Sequence, residues 1–239
     1  MAGFCVKTLA AVSAKQFTEK INNLYFRWVS NNYDSIARYY DFVHRLFYGQ
    51  SEINAQSELL DYIRPGDRIL IVGGGTGWIL EKLSAVYPSG LDITYIESSG
   101  KMMELSKKRD YRRNNVSFVQ SPVEEWVGDG LYDCILTGLF FDNFTAAHSA
   151  QIVQQLTPFL KRDGFWLDSD FYYPKGRGKL WQAILLKSMY VSARLICGVE
   201  AKRLPDMELI FTTAGYRLEY VSFHYQRFIR SVVYQRKMG

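Results

Sequence analysis

The chain has 239 residues, of which 48% are hydrophobic and 22% charged, so it can bury a substantial core and is not of the intrinsically disordered class. Its net charge is +5, but the cationic excess is concentrated in residues 175–239, which carry 12 Lys and Arg against 4 Asp and Glu. These cations are scattered, so no nucleic-acid partner is predicted. The pattern fits a solvated basic face, an anionic substrate or an acidic membrane surface.

The cysteines and the N-terminal sequence indicate the cellular compartment in which the protein works. Cys5, Cys134 and Cys197 lie far apart without a CxxC pair, which favours free thiols in a reducing, cytoplasmic setting. The N-terminus lacks a basic start before a long apolar run, so no signal peptide is expected. Since no run of 18 uncharged apolar residues occurs, no transmembrane helix is expected either.

Three helices are predicted in the first 64 residues. Ser13 and Gln16 have the spacing of a capping box, and apolar residues then recur at helical spacing from Phe17 to Trp28. The same spacing predicts a second helix with Tyr33 to Phe47 on its apolar face, and a third from Ser51 to Ile63. The Pro65-Gly66 pair ends this helical region.

The next hundred residues alternate between short apolar runs and helical patterns. The predicted elements are strand 68–73, helix 78–87, strand 92–96, helix 101–109, strand 116–120, strand 132–137, helix 146–160 and strand 164–168. Strands and helices that alternate with short loops are typical of βαβ units, so this region predicts a parallel sheet covered on both faces.

The last quarter changes pattern again. Residues 180–199 are apolar on most sides, which favours a helical cap over the sheet rather than a membrane segment. A helix over 207–214 is ended by Gly215, and two runs, 216–223 and 228–236, are separated by so few residues that they should pair as antiparallel strands.

The stretch ILIVGGGTGWIL (69–80) is the main motif. Gly73, Gly75 and Gly77 are spaced GxGxG, whereas the dinucleotide fingerprint needs its last glycine where Trp78 stands, so a nicotinamide or flavin oxidoreductase is disfavoured. No GK[ST] follows, which excludes a P-loop. Such a turn suits an adenosine with a short zwitterionic tail, because backbone N–H groups become accessible at the following helix.

Glu97 lies 20 residues past Gly77, at the end of the next predicted strand. A carboxylate there can accept two hydrogen bonds from a ribose diol and would repel an added phosphate. The alternative is a plain glycine turn with a surface glutamate.

Several stretches in this order resemble the class I S-adenosylmethionine-dependent methyltransferases, nearest to the menaquinone/ubiquinone-type C-methyltransferases. They are YDSIARYYD (33–41), VGGGTG (72–77), YIESSGKMM (95–103), FVQSPVEEW (118–126), LKRDGFWLDSDF (160–171) and AGYRLEYV (214–221). The resemblance implies S-adenosyl-L-methionine as cofactor. It also implies an α/β fold with a Rossmann-like seven-stranded, mostly parallel sheet whose last strand is antiparallel, with N-terminal helices and a helical cap.

The resemblance also implies cofactor contacts, residue by residue. Gly73, Gly75 and Gly77 would border the methionine part, Glu97 would bind the ribose, Ser98 and Met102 would flank the adenosine, Pro122 and Val123 would frame the adenine, Thr137 and Gly138 would lie beneath the sulfonium, and Tyr33 and Tyr40 would close the site. Two positions that usually carry an acid are Ile71 and Pro122 here. These departures leave open an inactive cofactor-binding or interaction module of the same fold.

Methyl transfer to a nucleophile needs alignment and exclusion of water, and no metal. None is predicted, because His44, His148 and His224 lack ligand spacing, and His148 is expected at the surface. Asp142 is the candidate catalytic base, or else a turn residue before a helix cap at Thr145. Aromatic candidates beside a sulfonium, each equally suited to the core, are Tyr40, Phe140 and Phe141.

We expect one methyltransferase domain over 1–239. Its parts are N-terminal helices (1–64), a cofactor-binding core (65–171), a cap (172–205) and a final helix with two strands (206–239). The cap is apolar, aromatic and basic together, which suits a small aromatic or lipid-like acceptor, apolar or anionic. It equally suits packing on the sheet or on a second subunit, so a peripheral membrane contact and a homodimer both remain open.

Overall fold

The computed structural model describes residues 32–39, 41, 48–128, 130–173 and 179–237. The expected helix over 17–28, the part of the second helix over 42–47 and the residues Cys5, Tyr40 and His44 lie outside the described residues.

A seven-stranded sheet forms the centre of the described structure. Its strands are β1 (Arg68–Val72), β2 (Ser89–Glu97), β3 (Arg113–Gln120), β4 (Tyr132–Gly138), β5 (Leu160–Phe171), β6 (Tyr216–His224) and β7 (Ile229–Arg236). The order is β3-β2-β1-β4-β5-β7-β6, and β7 is antiparallel to both neighbours while the other pairs are parallel. The expected mostly parallel sheet with an antiparallel last strand is confirmed.

The helices cover both faces of this sheet. They are α1 (Ser51–Ser57), α2 (Trp78–Val86), α3 (Gly100–Ser106), α4 (Ala146–Leu156), α5 (Leu180–Cys197) and α6 (Met207–Thr213). Alternate residues of β1 point to opposite faces: Leu70 and Val72 pack into one hydrophobic cluster, and Ile69 and Ile71 into another. Because both faces of β1 are buried, its sequence is apolar throughout and does not alternate with polar residues.

Several boundaries differ from the sequence-based expectation for local reasons. The helix expected over 51–63 is α1 followed by a 3₁₀ segment, Glu58–Tyr62. The helix expected over 146–160 ends at Leu156 because Pro158, in the 3₁₀ segment Thr157–Phe159, has no N–H to continue the helical hydrogen bonds.

Strand β5 begins at Leu160 rather than at Gly164 and runs on to Phe171. The sequence around Gly164 reads as a turn, but the glycine serves close strand packing. A Cβ atom at Gly164 would lie 2.7 Å from the Asp133 carbonyl oxygen, at the point where the β4–β5 register shifts.

The cap helix α5 ends at Gly198, whose φ of 67° is the left-handed conformation that favours glycine after a helix. In the parts of the chain that the structure describes, no helix is both long enough and apolar enough to span a bilayer.

Candidate functional site

The glycine turn and Glu97 meet at the carboxyl ends of β1 and β2. The strand register aligns Val72 with Ile96 of β2 and with Thr137 of β4, so β1 ends between these two strands. Because the chain winds in opposite directions from β1 toward β2 and toward β4, a crevice opens at this point, where sheets of this class bind ligands.

Glu97 is fastened to the turn through its own carboxylate. Its Oε2 accepts a hydrogen bond from the Gly75 N–H at 2.9 Å, and its Oε1 accepts one from the Ser99 N–H at 2.7 Å. These two bonds hold both carboxylate oxygens at the turn, and Ser98 also hydrogen-bonds to this carboxylate. Burial raises the pKa of Glu97, and these backbone N–H groups partly offset that rise.

The three glycines of the GxGxG spacing have different roles. Gly75 has a φ of 62°, and the nearest atom to a Cβ built there is Met102 Sδ at 3.9 Å, so its free side faces open space. Gly73 makes room for the Phe140 ring, which a Cβ would approach to 2.4 Å. At Gly77 a Cβ would lie 2.6 Å from Ser106 Cβ, so this glycine allows α2 and α3 to approach.

A cavity of about 150 Å³ extends from this turn. Nine residues expected at the cofactor line it: Tyr33, Gly73, Gly75, Glu97, Ser98, Met102, Pro122, Val123 and Gly138. Gly77 and Thr137 do not line it. Thr137 is buried, and its hydroxyl donates to Asp168 Oδ1 at 2.7 Å and accepts from Trp166 Nε1 at 3.1 Å, so its position beneath the sulfonium stays a prediction.

The two aromatic candidates after β4 separate in the structure. Phe140 lines the cavity, whereas Phe141 is fully buried in the core against Trp166 and Phe211. Tyr33 also lines the cavity, and its hydroxyl donates to Asn143 Oδ1.

Four polar side chains that were not among the predicted cofactor contacts also line this cavity. Glu52 and Gln56, on successive turns of α1, are only 7% and 5% exposed. The Gln56 side chain lies against Gly138, where a Cβ would come within 2.6 Å of Gln56 Oε1. The i, i+4 spacing of two polar residues on a buried helical face is the signal that could have identified them. Glu124 and Glu200 line the other part of the cavity.

His148 connects these last two carboxylates, and its expected surface position is wrong. It is 7% exposed in the first turn of α4, with Nε2 2.8 Å from Glu124 Oε1 and Nδ1 3.1 Å from Glu200 Oε2. Burial by itself lowers the pKa of His148, but the bonds with Glu124 and Glu200 outweigh it and the net direction is upward. A helical position alone could not reveal partners 24 and 52 residues away along the chain.

The N-terminal motif YDSIARYYD is fastened over the glycine turn by its two aspartates. Asp34 accepts from Ser99 Oγ at 2.5 Å and from the Lys101 N–H at 3.0 Å. Asp41 accepts from Thr76 Oγ1 and from Arg109 Nη2, each at 2.5 Å. The tyrosines of this motif were predicted to close the site, whereas no contact was predicted for its two aspartates. Tyr40 lies outside the described residues.

A second cavity, of about 470 Å³, adjoins the first. The two share four lining residues: Tyr33, Leu139, Asn143 and Val199. Leu139 has a φ of 48°, an uncommon conformation for a residue with a side chain and one that occurs preferentially at ligand sites. The rest of the lining is mostly aromatic and aliphatic and comes from α5 and from Tyr48 and Phe171.

Asp142 lines this second cavity but not the first. Its N–H donates to Asp170 Oδ2 at 3.0 Å, and its Oδ1 accepts from Asn143 Nδ2 at 2.9 Å. Burial, followed by the charges of Asp142 and Asp168, raises the pKa of Asp170 well above its ordinary value. Asp142 also belongs to the turn before α4, where Thr145 Oγ1 accepts from the His148 N–H, so the turn alternative is compatible with a site role.

Among the described residues no group of three or more His, Cys, Asp or Glu side chains could hold a metal ion.

Comparison with known proteins agrees with this geometry. Residues 69–164 match the family model of a methyltransferase domain. The ubiquinone/menaquinone biosynthesis C-methyltransferase of Geotalea uraniireducens is 28% identical over 194 residues, which cover 77% of this chain and 81% of that protein. Its counterpart in Pseudomonas putida (strain W619) is 27% identical over 144 residues, covering 57% of this chain and 55% of the relative.

Solved structures share the fold at low identity. The mitomycin 7-O-methyltransferase aligns with a TM-score of 0.63 at 17% identity. The alignment covers 87% of this chain and 61% of that enzyme. The magnesium protoporphyrin IX methyltransferase of Synechocystis, with bound S-adenosylhomocysteine (SAH), aligns with a TM-score of 0.58 at 18% identity. The alignment covers 78% of this chain and 83% of that enzyme.

The residues present fit the cofactor of these proteins, because a buried carboxylate and an unobstructed glycine line one cavity beside further carboxylates. The matched domain, the curated relatives and the shared fold agree with this geometry, and the chain is an S-adenosylmethionine-dependent methyltransferase of the small-molecule type.

Proposed function

We propose that this methyltransferase acts on an apolar acceptor, aromatic or lipid-like, bound in the second cavity. The observation that carries the proposal is the shared wall of the two cavities. The first is lined by the glycine turn and Glu97, and the second is mostly apolar and is also lined by Asp142. A nucleophile in the second cavity would therefore face a methyl group presented from the first.

The cofactor, when bound, supplies a methyl group activated by a sulfonium. Glu97 would bind the ribose hydroxyls, Pro122 and Val123 would frame the adenine, and Ser98 and Met102 would flank the adenosine. Gly73, Gly75 and Gly138 would border the methionine part.

The two missing acids have substitutes in the same cavity. Glu52 on α1 would bind the ammonium group in place of an acid at Ile71, because it is a buried carboxylate lining the cavity beside Gln56. At the other end, Glu124 or Glu200 would accept from the adenine amino group in place of an acid at Pro122. These substitutes favour an active enzyme over an inactive module.

Asp142 would accept the proton of an acceptor hydroxyl or acidic carbon, since it lines the second cavity and accepts a hydrogen bond from Asn143, which lines both cavities. Tyr33 and Phe140 present aromatic rings to the cofactor cavity and would favour the positive sulfonium. An apolar acceptor that fills the second cavity would displace water from the reacting groups.

Two finer assignments accompany the proposal. Residues 172–205 act as the cap of a single domain, supported by the packing of α5 residues against Tyr33 and Ile36. The protein works in a reducing cytoplasm, which accords with Cys134 and Cys197 as buried free thiols.

The test is calorimetry with SAH combined with transfer of labelled methyl to a panel of phenols, quinols and amines. We expect saturable SAH binding and a labelled phenol or quinol. Asp142→Asn should lower kcat/KM about 100-fold without changing the SAH affinity. The exposed Asp61→Asn is the matched control and should leave both unchanged.

The outcomes separate the alternatives. SAH binding without transfer to any member of the panel would favour the inactive binding module. Absence of SAH binding up to millimolar concentration would contradict the assignment of the first cavity. Transfer that persists unchanged in Asp142→Asn would remove Asp142 from the chemistry.

A further inference from the structure

The cap helix α5 exposes an apolar stripe to solvent. Leu180, Ile184, Val191 and Leu195 are 78%, 60%, 50% and 81% exposed. They stand at positions 1, 5, 12 and 16 of the helix, which at 3.6 residues per turn fall within one narrow stripe about 60° wide. Exposed apolar residues at protein surfaces are usually scattered, so an aligned stripe of four indicates an interaction surface.

Cations flank this stripe on one side. Lys187 and Arg194 are exposed, lie seven residues apart and therefore project next to the apolar residues on the same side of the helix. From Lys179 to Arg203 the chain carries five Lys and Arg and one carboxylate, Glu200, which is held by His148. The exposed face is thus both apolar and positively charged.

The mouth of the second cavity adjoins the other side of the stripe. Ser188, Ser192 and Ile196 line that cavity and are also exposed at the surface, and Tyr39, which lines it too, is 66% exposed. Leu185 and Met189 line the same cavity from α5. One helix therefore carries the exposed stripe, the rim and part of the wall of the cavity.

We propose that this face of α5 docks on an anionic lipid surface and that an apolar acceptor passes from the lipid through the rim into the second cavity. An in-plane helix with apolar residues buried at the headgroup level and cations against acidic lipids is the arrangement that these residues fit. A second copy of this chain would place like charges against each other, since Lys187 and Arg194 would meet the same cationic face in a symmetric pair. The entry route rests on the proposed function; the docking surface does not.

The experiment measures co-sedimentation of the full chain with vesicles of equal parts phosphatidylglycerol and phosphatidylcholine, and with phosphatidylcholine alone. We expect binding to the anionic vesicles that weakens as salt rises from 0.1 to 0.5 M. The double variant Lys187→Gln/Arg194→Gln should weaken that binding about 30-fold, since each cation near an acidic surface contributes about a factor of five.

A second variant separates the apolar contribution. Leu180→Ser/Leu195→Ser should also lose vesicle binding, whereas Leu218→Ser and Lys82→Gln/Lys101→Gln, at exposed positions on other elements, should keep it. All variants should retain the SAH affinity of the parent, which shows that they fold and keeps the result independent of methyl transfer.

Equal binding of the α5 variants and the parent would overturn the proposal, as would absence of binding to anionic vesicles. A mass that doubles with concentration, and that returns to the monomer in Leu180→Ser/Leu195→Ser, would instead assign the face to a second copy of the chain.

Discussion

The two cavities that meet at Leu139 are built in different ways. The cofactor cavity is formed largely by strand ends and their turns, where backbone groups of Gly75 and Ser99 orient a single carboxylate, Glu97. The second cavity, where we propose that the acceptor binds, is lined mainly by side chains of the cap helix α5 together with aromatic side chains such as Tyr48 and Phe171.

This difference matches the demands of the two ligands. A nucleoside is recognised through hydrogen bonds at fixed positions, which a backbone held by a sheet supplies with little freedom of movement. An apolar acceptor needs volume and shape, and these change with single side chains of the cap. Substitutions in the first cavity should therefore abolish binding of one ligand, and those in the second should alter preference among acceptors.

The largest effect is expected at Glu97. Glu97→Ala removes the carboxylate that accepts from Gly75 and Ser99 and that would accept from the ribose. We expect the Kd for SAH to rise about 100-fold, because each hydrogen bond to a charged group contributes about 1.5–3 kcal/mol. Calorimetry measures it, with the exposed Glu125→Ala as control; an unchanged Kd would show that the ribose is bound elsewhere.

The next comparison uses two glycines of the same turn. Gly75→Ala directs a methyl group toward the cavity and should raise the Kd for SAH about tenfold, with about 1–2 kcal/mol lost from the free energy of unfolding because φ is 62°. Gly77→Ala forces a Cβ against the Ser106 backbone at 2.7 Å and should lower stability further, by about 3 kcal/mol.

Denaturant unfolding and calorimetry on both variants test this pair. Two outcomes would contradict the distinction between a ligand-facing and a packing glycine. One is that Gly77→Ala is more stable than Gly75→Ala, and the other is that folded Gly77→Ala loses SAH binding while Gly75→Ala keeps it.

A smaller effect is expected from filling the second cavity. Ala193, on the inner side of α5, lines that cavity. Ala193→Phe should lower kcat/KM for a large acceptor about tenfold and leave the SAH affinity within twofold, because the two ligands share only part of a wall. Ala193→Ser keeps the volume and serves as control. An equal loss of SAH binding would show that the two cavities do not act separately.

The smallest effect concerns His148 and its dependence on pH. Because the folded-state pKa of His148 is raised, its stabilisation is fully present below the unfolded pKa, about 6.5, and is lost as pH rises through the folded value. His148→Gln should therefore cost about 1–2 kcal/mol at pH 5.5 and progressively less toward pH 9. Thermal unfolding followed by circular dichroism measures the difference; a cost that grew with pH would contradict the ion pairs with Glu124 and Glu200.

What the sequence by itself determined is what depends on near neighbours in the chain. The alternating strands and helices, the glycine turn after β1 and the acid at the end of β2 follow from periodicity and spacing, because a parallel sheet brings consecutive strand ends to one edge. The expected fold and the contact between the turn and Glu97 were therefore accessible without coordinates.

Only the tertiary structure decided which residues meet across long separations. The burial of His148 between Glu124 and Glu200, the anchoring of Asp34 and Asp41, and the entry of Glu52 into the cofactor cavity all depend on how helices pack over the sheet. Gly77 is a further example. Its spacing in the sequence matched a ligand-binding turn, but in the structure it packs against Ser106, which lies 29 residues later in the chain. Local patterns fix backbone conformation, but the partner of a side chain is set by the packing of the whole chain.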